Sequence, residues 1–147
     1  METTLDLGIV NFDAPPEWNF FPMSQRVIGR PANRVGVLTV SVEHRYAITS
    51  PPSHEMCMMV AKEAAGLDGE GPGADRARDQ LENCLAGGES FRTVADFMRV
   101  WYHHCQAGLI VAWFSAPLER EDEPLVKQLV KDCERIVLSL QLPAPVS

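Results

Sequence analysis

The stretch RVWYHHCQAGLIVAWFSAP, Arg99 to Pro117, leaves the chain few ways to fold. With a helical period, the segment ending at Cys105 gathers Phe91, Val94, Ala95, Met98, Trp101, Tyr102 and Cys105 on one face, with Arg92, Asp96, Arg99 and His103 opposite. With a period of two, Met98, Val100, Tyr102 and His104 alternate with Arg99, Trp101, His103 and Cys105, and the residue types are those that strands favour. Periodicity alone does not separate these readings. The downstream run GLIVAWFSA does: it is short, apolar and β-branched, and Gln106-Ala107-Gly108 suits a hairpin connection. Two antiparallel strands are expected.

The remaining segments follow the same logic. TLDLGIV alternates Leu5, Leu7 and Ile9 with Asp6 and Gly8, and predicts a half-buried strand that starts the sheet. The prolines of PPEWNFFP confine any strand there to an edge or to one short piece. RVIGRP and VGVLTVSVEHRY, turning at Pro31-Ala32-Asn33, predict a hairpin with Leu38, Val40 and Val42 on one face and Thr39 and Ser41 on the other. After Pro51 and Pro52, Ser53 can cap a helix running to about Ala65, in which Met56, Met59, Val60 and Ala64 recur. LDGEGPGAD predicts a mobile surface loop. ADRARDQLENCL predicts a short amphipathic helix with Ala74, Ala77, Leu81 and Cys84 on its stripe, Arg78 four residues before Glu82, and Gly87-Gly88 as its stop. Pro124 then opens a long helix whose apolar stripe runs Leu125, Val126, Leu129, Val130, Cys133, Ile136, Val137 and Leu140, with Lys127, Lys131 and Glu134 facing water. Pro143 stops it, and residues 143–147 are a frayed tail.

This order predicts an α+β chain, α/β/α sandwich-like, with one domain over residues 1–147. Its antiparallel sheet has about five to six strands, packed by two shorter helices and one long C-terminal helix.

A length of 147 residues is enough to bury a core without disulfides or metal. The formal charge is −7 and no run of Lys or Arg provides a basic footprint, so nucleic acid and anionic membrane are poor partners and are not expected, while the charge is compatible with a basic protein partner. METTLDLGIVNFDAPPEW does not read as a secretory leader, and no apolar run approaches the ~20 residues of a membrane span. The cytoplasm is the expected compartment. Cys57, Cys84, Cys105 and Cys133 form no C-x-x-C pair and are expected to be reduced, buried thiols; a mature exported chain would instead allow two bridges.

His103, His104 and Cys105 invite a metal site or a nucleophile with its base. In a strand the two histidines point to opposite faces, whereas His103 and Cys105 share one; a metal site would need two further ligands, and none is expected. Nothing around Cys105 has the form of a catalytic-cysteine signature. GEGPG lacks the lysine and hydroxyl of a phosphate loop and G-x-G-x-x-G is absent, so no cofactor is expected. Glu121, Asp122 and Glu123 are explained by the positive end of the helix they precede.

An apolar opening strand leading to Pro16 and Trp18, the GVLTVSV strand, a Trp101-Tyr102 strand followed by LIVAWFS, and a closing helix ending RIVLSLQL together make a recognisable pattern. It resembles the PsbP-like α/β/α sandwich group, which includes a Ran-binding protein and many small bacterial proteins, some of them immunity partners of secreted toxins. The resemblance implies binding rather than catalysis. The expected function is a non-catalytic protein-binding domain, an acidic immunity or inhibitor protein that masks the active site of a basic toxin or enzyme, acting as monomer or homodimer. Its contact candidates are Asp68, Glu70, Asp75, Glu119, Glu121, Asp122 and Glu123. Two alternatives stay open: a small-ligand pocket or hydrolytic enzyme around His103, His104 and Cys105, and a structural subunit of a larger assembly.

Overall fold

The structure, a computed structural model, describes residues 3–44, 52–67, 69, 71–81, 84–105 and 108–142, with the backbone alone at Thr3 and His44. In chain order the elements are β1 (Thr3–Asp6), β2 (Asn11–Ala14), β3 (Trp18–Met23), β4 (Arg26–Pro31), β5 (Val37–His44), α1 (His54–Ala64), β6 (Ala74–Leu81), β7 (Cys84–Arg92), β8 (Asp96–Cys105), β9 (Gly108–Pro117) and α2 (Pro124–Leu138). A 3-10 turn, Leu118–Arg120, joins β9 to α2.

Strands β8 and β9 pair antiparallel from Asp96↔Pro117 to Cys105↔Gly108, as the strand reading requires. They lie inside a seven-stranded antiparallel sheet of order β3-β4-β5-β9-β8-β7-β6. Because side chains alternate, β8 sends Met98, Val100 and Tyr102 to one core and Trp101 to the other. The first core packs under α1 through Cys57, Met58 and Ala61; the second packs under α2 through Val126, Leu129, Cys133, Ile136 and Val137. The result is an α+β fold in three layers, helix, sheet, helix. Among the described residues, no helix is long and apolar enough to cross a membrane.

Several expectations need correction. The main sheet has seven strands rather than five to six, and the described residues contain two α-helices rather than three. The excess comes from 74–92, where the expected helix over ADRARDQLENCL is instead the hairpin β6-β7, closed by the pair Leu81↔Cys84. β6 is an edge strand exposed along nearly all its length, so burial imposes no alternation on its sequence, and its small and charged residues mimic an amphipathic helix. Gly87 and Gly88 are no helix stop. They lie in β7 beneath aromatic rings, where a Cβ would come within 2.8 Å of Tyr102 at Gly87 and 2.6 Å of Trp101 at Gly88.

The first strand also differs from expectation. β1 and β2 form a separate two-stranded hairpin, and Leu7 and Ile9 fall in its connection. The hairpin is latched to the end of α2, where the Asn11 and Gln141 backbones exchange hydrogen bonds of 2.8 Å and the Asp13 amide donates to the Ser139 hydroxyl at 2.8 Å. β3, which carries Pro22, is an edge strand, as its prolines demand. Ser53 caps α1 by accepting from the Met56 amide, yet the expected stripe is rotated: Cys57, Met58 and Ala61 are buried while Met56 and Met59 face outward. That helix is apolar on more than one side, and its period does not choose between them. The expectations for Pro51, Glu82, Gln106, Ala107 and the 143–147 tail lie outside the described residues.

The aromatic cover over the β7 glycines supplies a direct test. Gly88→Val places two methyl groups where the Trp101 indole lies, and overpacking of this kind costs about 1–3 kcal/mol. Urea unfolding of the variant is expected to show a lower midpoint with an unchanged slope.

Candidate functional site

Positions 99, 101, 103 and 105 of β8 all face α2, and two of them, Arg99 and His103, are buried polar residues. Arg99 is only 5% exposed, an unusual place for a guanidinium. One terminal nitrogen donates to the Asp75 carbonyl at 2.6 Å and to the Ser90 hydroxyl at 2.9 Å, and the other lies 3.5 Å from the Glu134 carboxylate on α2. Burial pulls the Arg99 pKa below its usual range, while Glu134, Asp75 and Glu89 push it back up. Glu134, expected to face water, is thus half-buried against Arg99.

The carbonyl that Arg99 holds belongs to a strained residue. Asp75 has φ +51° and sits where the β6-β7 register slips between Ala74 and Ala77, a bulge that turns the strand. Two further side chains hold the approach to it: Glu89 accepts from the Gly73 amide at 2.9 Å, and the Lys62 ammonium donates to the Gly71 carbonyl at 3.0 Å. Residues 71–75, expected to be part of a mobile loop, are tied down at three points.

This rim and α2 bound a groove of about 710 Å³. Asp75, Glu121 and Asp122 line it, and so do Arg92, Phe97, Lys127, Val130, Lys131 and Glu134. Three of the acidic contact candidates, drawn from two segments more than forty positions apart in the chain, therefore meet at one concave surface. Glu121 is engaged there, accepting from Arg92 Nε at 2.8 and 2.9 Å, which raises the Arg92 pKa. Asp122 is exposed. Glu119 and Glu123 do not line the groove; Glu123 pairs with Arg120 at 2.9 Å, and that guanidinium holds its carboxyl below the ordinary range. Asp68 and Glu70 lie outside the described residues.

The other end of β8 holds the His103, His104 and Cys105 candidates. His103 faces α2, is 4% exposed and lies 2.8 Å through Nδ1 from the Val137 carbonyl. A carbonyl can only accept, so Nδ1 carries the proton; burial lowers the ring's pKa and favours the neutral form, whose bare Nε2 stands 3.4 Å from Cys105 Sγ. His104 belongs to the opposite face of the strand, as alternation requires. Cys105 is not a free thiol. It is joined to Cys84, so the expectation of four reduced cysteines is corrected; Cys57 and Cys133 remain free and buried, and burial raises the Cys57 pKa to about 11. The sequence reading missed Cys84 as a neighbour because a helix over 74–84 carries it away from β8, whereas the β7-β8 register brings it alongside.

No protein-family model and no curated protein sequence matches the chain. Its architecture is the PsbP-like α/β/α sandwich that the resemblance in sequence implies. A point mutant of protein Mog1 superposes with a TM-score of 0.64 over 97% of this chain and 96% of its own, at 10% identity. Cyanobacterial PsbP (CyanoP) from Synechocystis sp. PCC 6803 superposes at 0.62 over 97% and 92%, with 14% identity. The Ran-binding protein Mog1p of Saccharomyces cerevisiae gives 0.62 over 97% and 95%, with 10% identity. At such identities the likeness carries the fold and no activity.

Two outcomes follow from this geometry. Arg99→Met is expected to cost about 2–3 kcal/mol in urea unfolding, because charged hydrogen bonds are lost and the Asp75 bulge is released. Arg99→Lys should recover little, since an ammonium cannot span the same acceptors. Alkylation in denaturant, read by mass spectrometry, should modify two cysteines without reductant and four with it. Four in both conditions would remove the Cys84–Cys105 bond.

Proposed function

We propose that this chain is a non-catalytic protein-binding module that receives a basic segment of a partner protein along the groove between α2 and the 71–75 rim. The observation that carries this reading is the convergence of Asp75, Glu121 and Asp122 on one open, rigidly held concavity. Its apolar patches, Phe97 and Val130, suit the aliphatic stem of a lysine or arginine, and the exposed carboxylates of Asp75 and Asp122 suit its head, although Arg92, Lys127 and Lys131 share the lining. The net charge of −7 steers a basic partner towards the molecule. The shared fold with Mog1p, itself a Ran-binding protein, supports protein binding as the class of function. In its narrowest form the module is an immunity or inhibitor protein that covers the active site of a toxin or enzyme. The cytoplasmic placement expected from sequence stands against the Cys84–Cys105 bond, since disulfides persist mainly in oxidising compartments.

Charge reversal separates a specific groove from a general acidic field. With a partner isolated from the source cells, Asp75→Lys with Asp122→Lys, both lining the groove, is expected to weaken binding about tenfold or more. Asp6→Lys with Glu17→Lys, on and beside the remote β1-β2 hairpin, makes the same change in net charge and is expected to leave affinity near that of the native chain. Equal losses from both pairs, or none from the first, would overturn the groove as the contact surface.

A further inference from the structure

Beyond the pair Leu85↔His104, the next positions on β7 and β8 are Cys84 and Cys105, whose Cα atoms are 4.5 Å apart, the closer spacing of an antiparallel ladder. Their sulfurs and a nitrogen of His103 all lie within 4.8 Å of one another. We infer that Cys84, His103 and Cys105 form a three-ligand site for a zinc-class cation, open when the two cysteines are reduced and closed when they are joined.

The donor set fits the ion. Zinc bound by thiolates at about 2.3 Å and imidazole at about 2.05 Å in a tetrahedron needs a sulfur-to-nitrogen spacing of about 3.6 Å. Cys105 Sγ and His103 Nε2 already stand 3.4 Å apart. The nitrogen presented is the one without a proton, and its ring is oriented by the Nδ1–H bond to the Val137 carbonyl, the second interaction that metal-bound histidines commonly carry. Only the sulfurs must move, from bonding distance to about 3.8 Å. Three protein ligands leave a fourth position for water or another donor. This site lies apart from the groove and does not depend on the protein-binding reading.

The switch balances in two steps. Two molecules of a low-molecular-weight thiol, or one dithiol reductant, give two electrons and two protons to the disulfide; its S–S bond breaks, two thiols form, and the reductant leaves as its own disulfide. Zinc then displaces both thiol protons as two Zn–S bonds and one Zn–N bond form, releasing two protons to solvent.

The test uses zinc ion alone on the full chain, in reduced and oxidised forms, against a chromogenic chelator competitor. Reduced protein is expected to take up one zinc per chain, with affinity falling about 100-fold or more on oxidation. Cobalt in place of zinc should show thiolate-to-metal charge-transfer absorption in the reduced form alone. Cys84→Ser and His103→Gln should each abolish stoichiometric binding, whereas Cys57→Ala with Cys133→Ala should retain it. The two redox forms of the native chain decide the matter even where a variant does not fold. Equal uptake by both forms, no uptake by reduced protein, or loss of uptake in the Cys57/Cys133 variant would overturn the site.

Discussion

Strand β8 is buried on both faces, and its period of two holds the three layers together. Its neighbours β7 and β9 pair with it over most of its length, so its register is set from both sides. A slip of one residue would drive Arg99 and His103 into the apolar core under α1 and bring Tyr102 against α2. The polar residues on the α2 side are tolerable only where they find the Asp75 and Val137 carbonyls, Ser90 and Glu134. These bonds exist in one register alone, and they specify the sheet as much as they stabilise it.

What could be read from the chain divides along the same line. The β4-β5 hairpin and the long α2 were legible because each buries one continuous face, and burial writes a period into the residues; the central hairpin, buried on both faces, was legible by its β-branched and aromatic residue types, and α1 by its Ser53 cap although not in its stripe. The edge was not. β6 buries almost nothing, so ADRARDQL carries no strand signal, and its alanines and paired charges satisfy a helical template equally well. That single misreading hides Cys84 from Cys105 and Asp75 from Arg99. The groove was legible only as scattered acidic positions; the residues that fix its wall, Arg99 and Glu89, are strand residues whose roles depend on partners distant in the chain.

The likeness to Mog1 and PsbP belongs to this same physics. Alternating apolar strands, small residues beneath aromatic rings and one strongly amphipathic helix are solutions to packing, and the fold they build here recurs in chains at identities of 10–14%. Such features identify a scaffold. Individuality here lies in what the scaffold leaves free: the ion pairs around the 71–75 rim and the sulfur–imidazole corner at the far end of β8.

The two margins of the sheet are unequal. β6 carries Asp75, Arg76, Arg78 and Asp79 and is bent by its bulge, so a strand from another molecule meets charge and a broken ladder there. On β3, Pro22 withholds one amide, but Phe21 and Met23 are 52% and 62% exposed beside it. Crowding or partial unfolding therefore has a preferred direction: misassembly by strand addition starts at the aromatic margin, and each added strand leaves the charged margin as a terminus that does not propagate.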